Sequence, residues 1–368
     1  MPKIKKVVTT VWYNKKNMRA LRNVFPDAKF VYVPFYDKEL LEKEVRDADA
    51  AILLGDVDPC LLGENTLKWI HCDHAGLNGS ARPEVFARGI PVTGSAGRSA
   101  PVLAEHCIYF MLQGCYHTKE LLEAQEKGQW GVEGMNTWRG LYGRTAGIVG
   151  LGNNGKQLAS RLHALGMNII SYNLNEVPGF DYIEQQLAIE KGDTIEPLLR
   201  ESDFIILTIA LTDQTYHMIN KETLGMVKKG AFLVNMARGG VVCTEDLIEA
   251  LNDGTLSGAG LDVFEEQPLS PESPLWRMKN VYITPHSTPQ VPDRAAASIE
   301  IIRENAHKFE AGEPMRNLLR PSDAVDNGKA EGGWSKMLNT KLTKEQIAQI
   351  DFDKFLGKRD WTDPSEWM

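Results

Sequence analysis

The sequence predicts an α/β protein of two doubly wound parallel-sheet domains, one inserted in the other. Three observations carry this. Short apolar or β-branched runs alternate with amphipathic helical stretches from the N-terminus to about residue 310. An apolar run near the middle, Ala146 to Val149, enters glycines spaced G-x-G-x-x-G at Gly150, Gly152 and Gly155. From Thr145 onward, strand-like runs recur with helices between them, as an open parallel sheet requires.

The first hundred residues supply strands at Val7–Trp12, Phe30–Val33, Ala50–Leu54, Trp69–Cys72 and Pro91–Thr93. The clearest helix between them runs from Asp37 to Ala48, with Leu40, Leu41, Val45 and Ala48 at helical spacing. This rhythm is flavodoxin-like. A long helix follows from about Ala100 to Glu126, interrupted only by Gly114, and then a Gly- and Trp-rich crossover loop, Gly128 to Gly143. The second unit has strands at Gly147–Val149, Asn168–Tyr172, Phe204–Thr208, Ala231–Asn235, Ser257–Asp262 and Val281–Ile283. A last helix, roughly Asp293 to Glu310, returns the chain to the first domain. The expected division is therefore 1–100 with 293–320 for one domain, 101–292 for the other, and 321–368 as a C-terminal extension. In that extension Ser322 to Gly333 reads as a linker, while the apolar, Trp-containing stretch Lys344 to Trp367 is expected to dock in part.

Bulk properties exclude several classes of function. A net charge of -8 gives no electrostatic reason to expect nucleic acid or an anionic membrane. No apolar run approaches the ~20 residues of a membrane span, and Met1 to Lys6 is basic without an apolar signal core. The five cysteines form no CxxC pair, which fits reduced thiols in a cytoplasm.

The glycine motif has a physical reading. The first glycine allows a tight turn, the second lets a pyrophosphate approach the backbone, and the third lets helix and strand pack closely. A helix over Lys156 to Leu165 and a strand over Met167 to Tyr172 give the motif a Rossmann context on both sides. It is a dinucleotide site.

Further motifs surround it: Ala104-Glu105-His106, Val234 to Gly240, Gly260 to Phe264, and Thr284-Pro285-His286. In that order and at that spacing, from about residue 50 to 320, the chain resembles the D-isomer-specific 2-hydroxyacid dehydrogenases. The resemblance implies hydride transfer between a nicotinamide cofactor and a 2-hydroxy or 2-keto acid. Arg238, entering a loop at a strand end, would hold the substrate carboxylate with its planar fork and polarise the keto oxygen. Small neighbours, Ala237 and Gly239-Gly240, favour that task over a surface ion pair. His286 would pass a proton to the oxygen at C2, whereas His163, His217 and His307 are read as structural. Ala75-Gly76 match a loop whose backbone N–H groups hold the substrate carboxylate. The adjacent His71-Cys72-Asp73-His74 invites a metal, but alternate strand residues face opposite ways and cannot converge. Cofactor contacts are expected from Gly150, Gly152, Asn153, Asn154, Gly155, Asn173, Ala210, Thr215, Met236, Ala237, Arg238, Asp262 and His286. Of these, Asp262 would accept from the nicotinamide carboxamide, with a strand-end cap as the plainer alternative. The helix from Ala100 corresponds to the family's dimer arm, so a homodimer is implied.

The sequence departs from its family in two places. The family glutamate that partners the histidine is Gln267 here, directly before Pro268; Glu266 and Glu265 lie one and two residues earlier. An amide can fix the ring but carries no charge, so His286 should be harder to protonate. NAD-dependent formate dehydrogenases also have glutamine there, making formate the alternative substrate, although Ser99 stands where they carry asparagine. A dinucleotide-sensing interaction protein without catalysis is a further alternative. Second, the strand that usually ends in Asp or Glu ends in Asn173, with Glu176 beyond and no Arg or Lys nearby in sequence. This favours NAD(H) and leaves NADP(H) open. Asn153 and Asn154 replace the usual arginine and apolar residue, and Ala210 stands where relatives have proline.

Overall fold

The computed structural model describes residues 3–288, 291 and 293–324. The chain divides into two compact units, one built on Met1–Arg98 and the segment that begins at Pro292, the other on Ser99–Val291. The expected linker and docking segment lie, from residue 325 onward, outside the described residues.

In the first unit, strands β1 (Lys6–Thr9), β2 (Lys29–Tyr32), β3 (Ala50–Leu53), β4 (Trp69–Cys72) and β5 (Val92–Gly94) alternate with helices α1 (Lys15–Arg22), α2 (Lys38–Val45) and α3 (Pro83–Ala87). The sheet is parallel in the order β2-β1-β3-β4-β5, the flavodoxin arrangement. Strands β1, β3 and β4 are buried along their whole length, which explains their largely apolar character. Helix α2 starts where Asp37 accepts the Leu40 N–H at 3.0 Å.

The second unit opens with α4 (Ala100–Cys115) and α5 (Thr118–Glu126). The expected single helix is broken at His117, whose φ of 42° is left-handed, and not at Gly114. Gly114 lies inside α4 because a Cβ there would meet the Phe232 ring at 2.5 Å. There follow β6 (Thr145–Val149), α6 (Asn153–Ala164), β7 (Asn168–Asn173), β8 (Gln185–Ala188), α7 (Glu196–Glu201), β9 (Phe204–Leu207), α8 (Lys221–Leu224), β10 (Ala231–Asn235), α9 (Thr244–Asn252), β11 (Leu256–Leu261) and β12 (Val281–Ile283). All strands are parallel, in the order β12-β11-β10-β9-β6-β7-β8. The order reverses between β6 and β9, and an α/β sheet takes its ligand at the carboxyl ends of such a switch. One strand, β8, goes unrecognised in the sequence, because Gln185-Gln186-Leu187-Ala188 is an edge strand with one solvated end. Phe110 and Met111 of α4, Leu158 and Leu162 of α6, and Phe204 and Phe232 of the sheet share one core. Helix α10 (Arg294–Ala311) belongs to the first unit, where Ile299 and Ile302 pack with Val7, Leu21 and Trp69.

The glycine turn joins β6 to α6. Gly150 has φ 99°, a conformation that strains any other residue. A Cβ on Gly155 would lie 2.1 Å from the Gly150 carbonyl oxygen, while one on Gly152 would meet nothing within 4 Å. Gly155→Ala should therefore lower stability by about 1–3 kcal/mol in chemical denaturation, and Gly152→Ala should leave the midpoint in place. Equal midpoints for the two variants would refute this account of the turn.

Candidate active site

Gly152 caps α6, is solvent-exposed, and fronts a first helical turn that contains no acidic residue. The N–H groups and partial positive charge of that turn suit an anion. The open space before Gly152 is what a pyrophosphate needs, so these residues fit a dinucleotide. Asn153 is exposed and Asn154 half-buried on the same turn. Asn173 ends β7 and its side-chain amide donates to the Asn175 carbonyl at 3.0 Å. Contrary to expectation, a cation stands close to this strand end. Asn173 pairs in register with Ala188 of β8, and Lys191 just beyond forms a 2.5 Å ion pair with Glu176. Its signal was hidden with that of β8. Beyond β9, Thr215 Oγ1 donates to the Ala210 carbonyl at 2.7 Å, tying these two candidates into one turn.

Three adjacent strands supply the remaining candidates. After β10, Met236 and Ala237 are buried. Asn235 shapes the turn, its Oδ1 accepting the Ala237 N–H and its Nδ2 donating to the Arg238 carbonyl, both at 3.1 Å. Arg238 is half-buried and donates one N–H to the Ala237 carbonyl at 2.8 Å. After β11, Asp262 is buried and organises the segment that follows β12. Its Oδ1 accepts the Thr284 hydroxyl at 2.6 Å and the Ser287 N–H at 2.9 Å, its Oδ2 the Thr288 hydroxyl at 3.1 Å, and its backbone carbonyl the His286 N–H at 2.8 Å. The carboxylate thus caps this segment, the plainer of the two tasks the sequence suggested for it.

His286 sits at the centre, with φ 50°. Its Nδ1 lies 2.8 Å from Gln267 Oε1, and Gln267 Nε2 donates to the Phe264 carbonyl at 3.1 Å. An amide that donates with its nitrogen must accept with its oxygen, so His286 carries its proton on Nδ1 when neutral. Nε2 is then the unprotonated ring nitrogen of the neutral form. Gln267, not Glu265 or Glu266, holds the ring. Partial burial lowers the His286 pKa below the ordinary imidazole value, the Arg238 guanidinium lowers it further, and Asp262 opposes both.

Two further histidines belong to this neighbourhood: His106, singled out in the sequence only as part of a motif, and His217, read there as structural. Thr284 spends its hydroxyl proton on Asp262, so it accepts from His106 Nε2–H at 3.2 Å. Burial lowers the His106 pKa, and its ring stacks on Phe110. His217 pairs with Glu265. The other expected substrate residues, Ala75 and Gly76, lie in the first unit, in a bend after β4, with Ala75 exposed. Beside them His71 is fully buried, its two ring nitrogens bonded to Thr93 and Ser95 hydroxyls at 2.9 and 3.0 Å. Among the described residues no three potential ligands converge on a metal position, and no helix is long and apolar enough to cross a membrane.

Known proteins resemble this chain. The family model for the NAD-binding domain of D-isomer-specific 2-hydroxyacid dehydrogenases matches residues 108–288. A glyoxylate reductase of Korarchaeum cryptofilum is 34% identical over 288 residues, covering 77% of this chain and 86% of that protein. Another from Thermococcus litoralis is 38% identical over 291 residues, covering 76% and 86%. The structure of a D-isomer-specific 2-hydroxyacid dehydrogenase from Xanthobacter autotrophicus, solved with NADPH and MES, is 26% identical, has a TM-score of 0.72, and covers 87% of this chain and 99% of that one. The chain belongs to the D-isomer-specific 2-hydroxyacid dehydrogenase family, NAD(P)-dependent oxidoreductases that move hydride between 2-hydroxy and 2-keto acids.

Proposed function

We propose that this protein reduces short 2-keto acids of the glyoxylate type, with Arg238 and His286 as its catalytic residues and Gln267 orienting His286. The observation that carries the reading is the His286–Gln267 hydrogen bond, beside a guanidinium close enough to depress the imidazole pKa. A bound nicotinamide dinucleotide supplies the hydride. Arg238 holds the substrate carboxylate and draws electron density toward the keto oxygen. Protonated His286 gives its Nε2 proton to that oxygen as C2 is reduced, and the ring returns to the Nδ1–H form that Gln267 stabilises. Asp262 Oδ2, with one hydrogen bond from Thr288, keeps acceptor capacity for a nicotinamide carboxamide. Support for a small substrate comes from what the glyoxylate reductase relatives are named for.

Cofactor choice turns on Asn173, Glu176 and Lys191. Asn173 can bond a ribose hydroxyl, and Lys191 is available to a 2′-phosphate once released from Glu176, so both NAD(H) and NADP(H) fit. The chain acts in the cytoplasm, as its free cysteines suggest, and as a homodimer. Support for the dimer comes from α4, α5 and the turn between them, which leave Tyr109, Leu122 and Tyr116 half exposed. Light scattering should return twice the 41.1 kDa of one chain; a monomer at micromolar concentration would dismiss the dimer.

Two experiments test the chemistry. In a panel of 2-keto acids plus formate, each with NADH/NAD and NADPH/NADP, glyoxylate or a close homologue should turn over fastest, and Arg238→Ala should abolish it. Turnover of formate alone would favour the formate-type reading that Gln267 permits. Gln267→Glu should raise the pH above which reduction falls by on the order of one unit, because a carboxylate beside imidazole favours its charged form. An unchanged pH profile would reject the pairing of these residues.

A further inference from the structure

Besides His117, two histidines of the second unit share an uncommon backbone conformation. His217 and His286 have φ of 49° and 50°, a left-handed region that residues other than glycine or asparagine enter only under strain. Each reaches one end of the same three-residue segment. His286 meets Gln267, and His217 Nε2 lies 2.5 Å from Glu265 Oε1. The second Glu265 oxygen accepts the Thr244 backbone N–H at 2.7 Å, at the start of α9. His217 and Glu265 side chains are only 31% and 29% exposed, so the pair is not a swinging surface contact.

The backbone of His217 belongs to the opposite partner. Its N–H donates to the Gly240 carbonyl at 2.8 Å, and its carbonyl accepts from Asn220 Nδ2 at 3.0 Å. Its ring stacks on Tyr216 at 4.0 Å, and Tyr216 in turn lies against Gly240. Gly239 packs directly on the Phe264–Glu265 peptide; a Cβ there would sit 1.9 Å from the Phe264 carbonyl carbon. His217 is therefore fixed by its backbone to the loop that carries Arg238, and by its imidazole to the segment that carries Gln267. Glycine would suit that backbone better. The imidazole is what the position needs.

We propose that His217 and Glu265 form a positioning pair that holds Gln267, and through it the His286 ring, in register with Arg238. The proposal rests on the roles given above to His286 and Arg238. A guanidinium and an imidazole must meet at one carbonyl oxygen, and a displacement of about 1 Å can cost roughly a hundredfold in rate.

The test uses His217→Asn, which tolerates the left-handed backbone but is too short to reach Glu265, together with Glu265→Ala and the double variant. Three quantities are read in the full chain: kcat and KM for the best acid of the panel, dinucleotide affinity by fluorescence titration, and the ring nitrogen chemical shifts of His286 in 15N-histidine protein. Expected are a roughly tenfold to hundredfold fall in kcat for each single variant, dinucleotide affinity within about twofold, and a double variant no worse than the worse single one. His286 should also lose its single Nδ1–H signature. Single variants within twofold of the parent, additive losses, or an unchanged His286 signature would each overturn the pair. A parent chain that turns over no acid defeats the functional reading alone. The ring signature needs no turnover and still decides the pair.

Discussion

The hydrogen bond between His286 Nδ1 and Gln267 Oε1, 2.8 Å long, governs this site because it fixes which ring nitrogen carries the proton of the neutral imidazole. Gln267 cannot turn its amide round without abandoning the Phe264 carbonyl, so the acceptor offered to His286 is constant. A carboxylate would accept the same N–H and also favour the imidazolium. With an amide, orientation is kept and the electrostatic support is not. Burial and the Arg238 guanidinium both act against the charged ring, and nothing on Gln267 offsets them. The His286 ring is therefore well oriented but harder to protonate.

The strand order explains how residues so far apart in sequence share one locality. Arg238, Asp262 and His286 follow β10, β11 and β12, which are neighbours in the sheet. In a parallel sheet all three chain exits emerge on the same side, so successive βα units deliver their polar residues to one edge. Asp262 then turns proximity into geometry. By accepting from Thr284, Ser287 and Thr288 it fixes the path of the segment on which His286 stands. His106 adds a contact from α4 through Thr284, which joins the core-packing helix to the same network.

The glycine turn shows a different kind of legibility. Spacing alone announced the demands on Gly150, Gly152 and Gly155, and each is met by a backbone property: a left-handed φ, an open face and a close approach. Such demands are local, so a run of ten residues expresses them. The break between α4 and α5 was less readable. Gly114 looked like the interruption, yet it serves packing against Phe232, and the break falls at His117.

The amino-acid sequence by itself determined the alternation of strand and helix and the dinucleotide turn, and it singled out Arg238, Gln267 and His286 as candidates. Each depends on local periodicity, on backbone requirements within one turn, or on a recognisable motif. Tertiary structure alone decided the partners. Strand β8 was too polar to stand out as an edge strand, and Lys191 came into view only when β8 paired with β7. Glu265 read as a near miss for Gln267 until folding set it against His217, 48 residues away. Side-chain pairs of that kind leave no periodic trace in a chain, because they depend on where two distant loops are brought by the sheet between them.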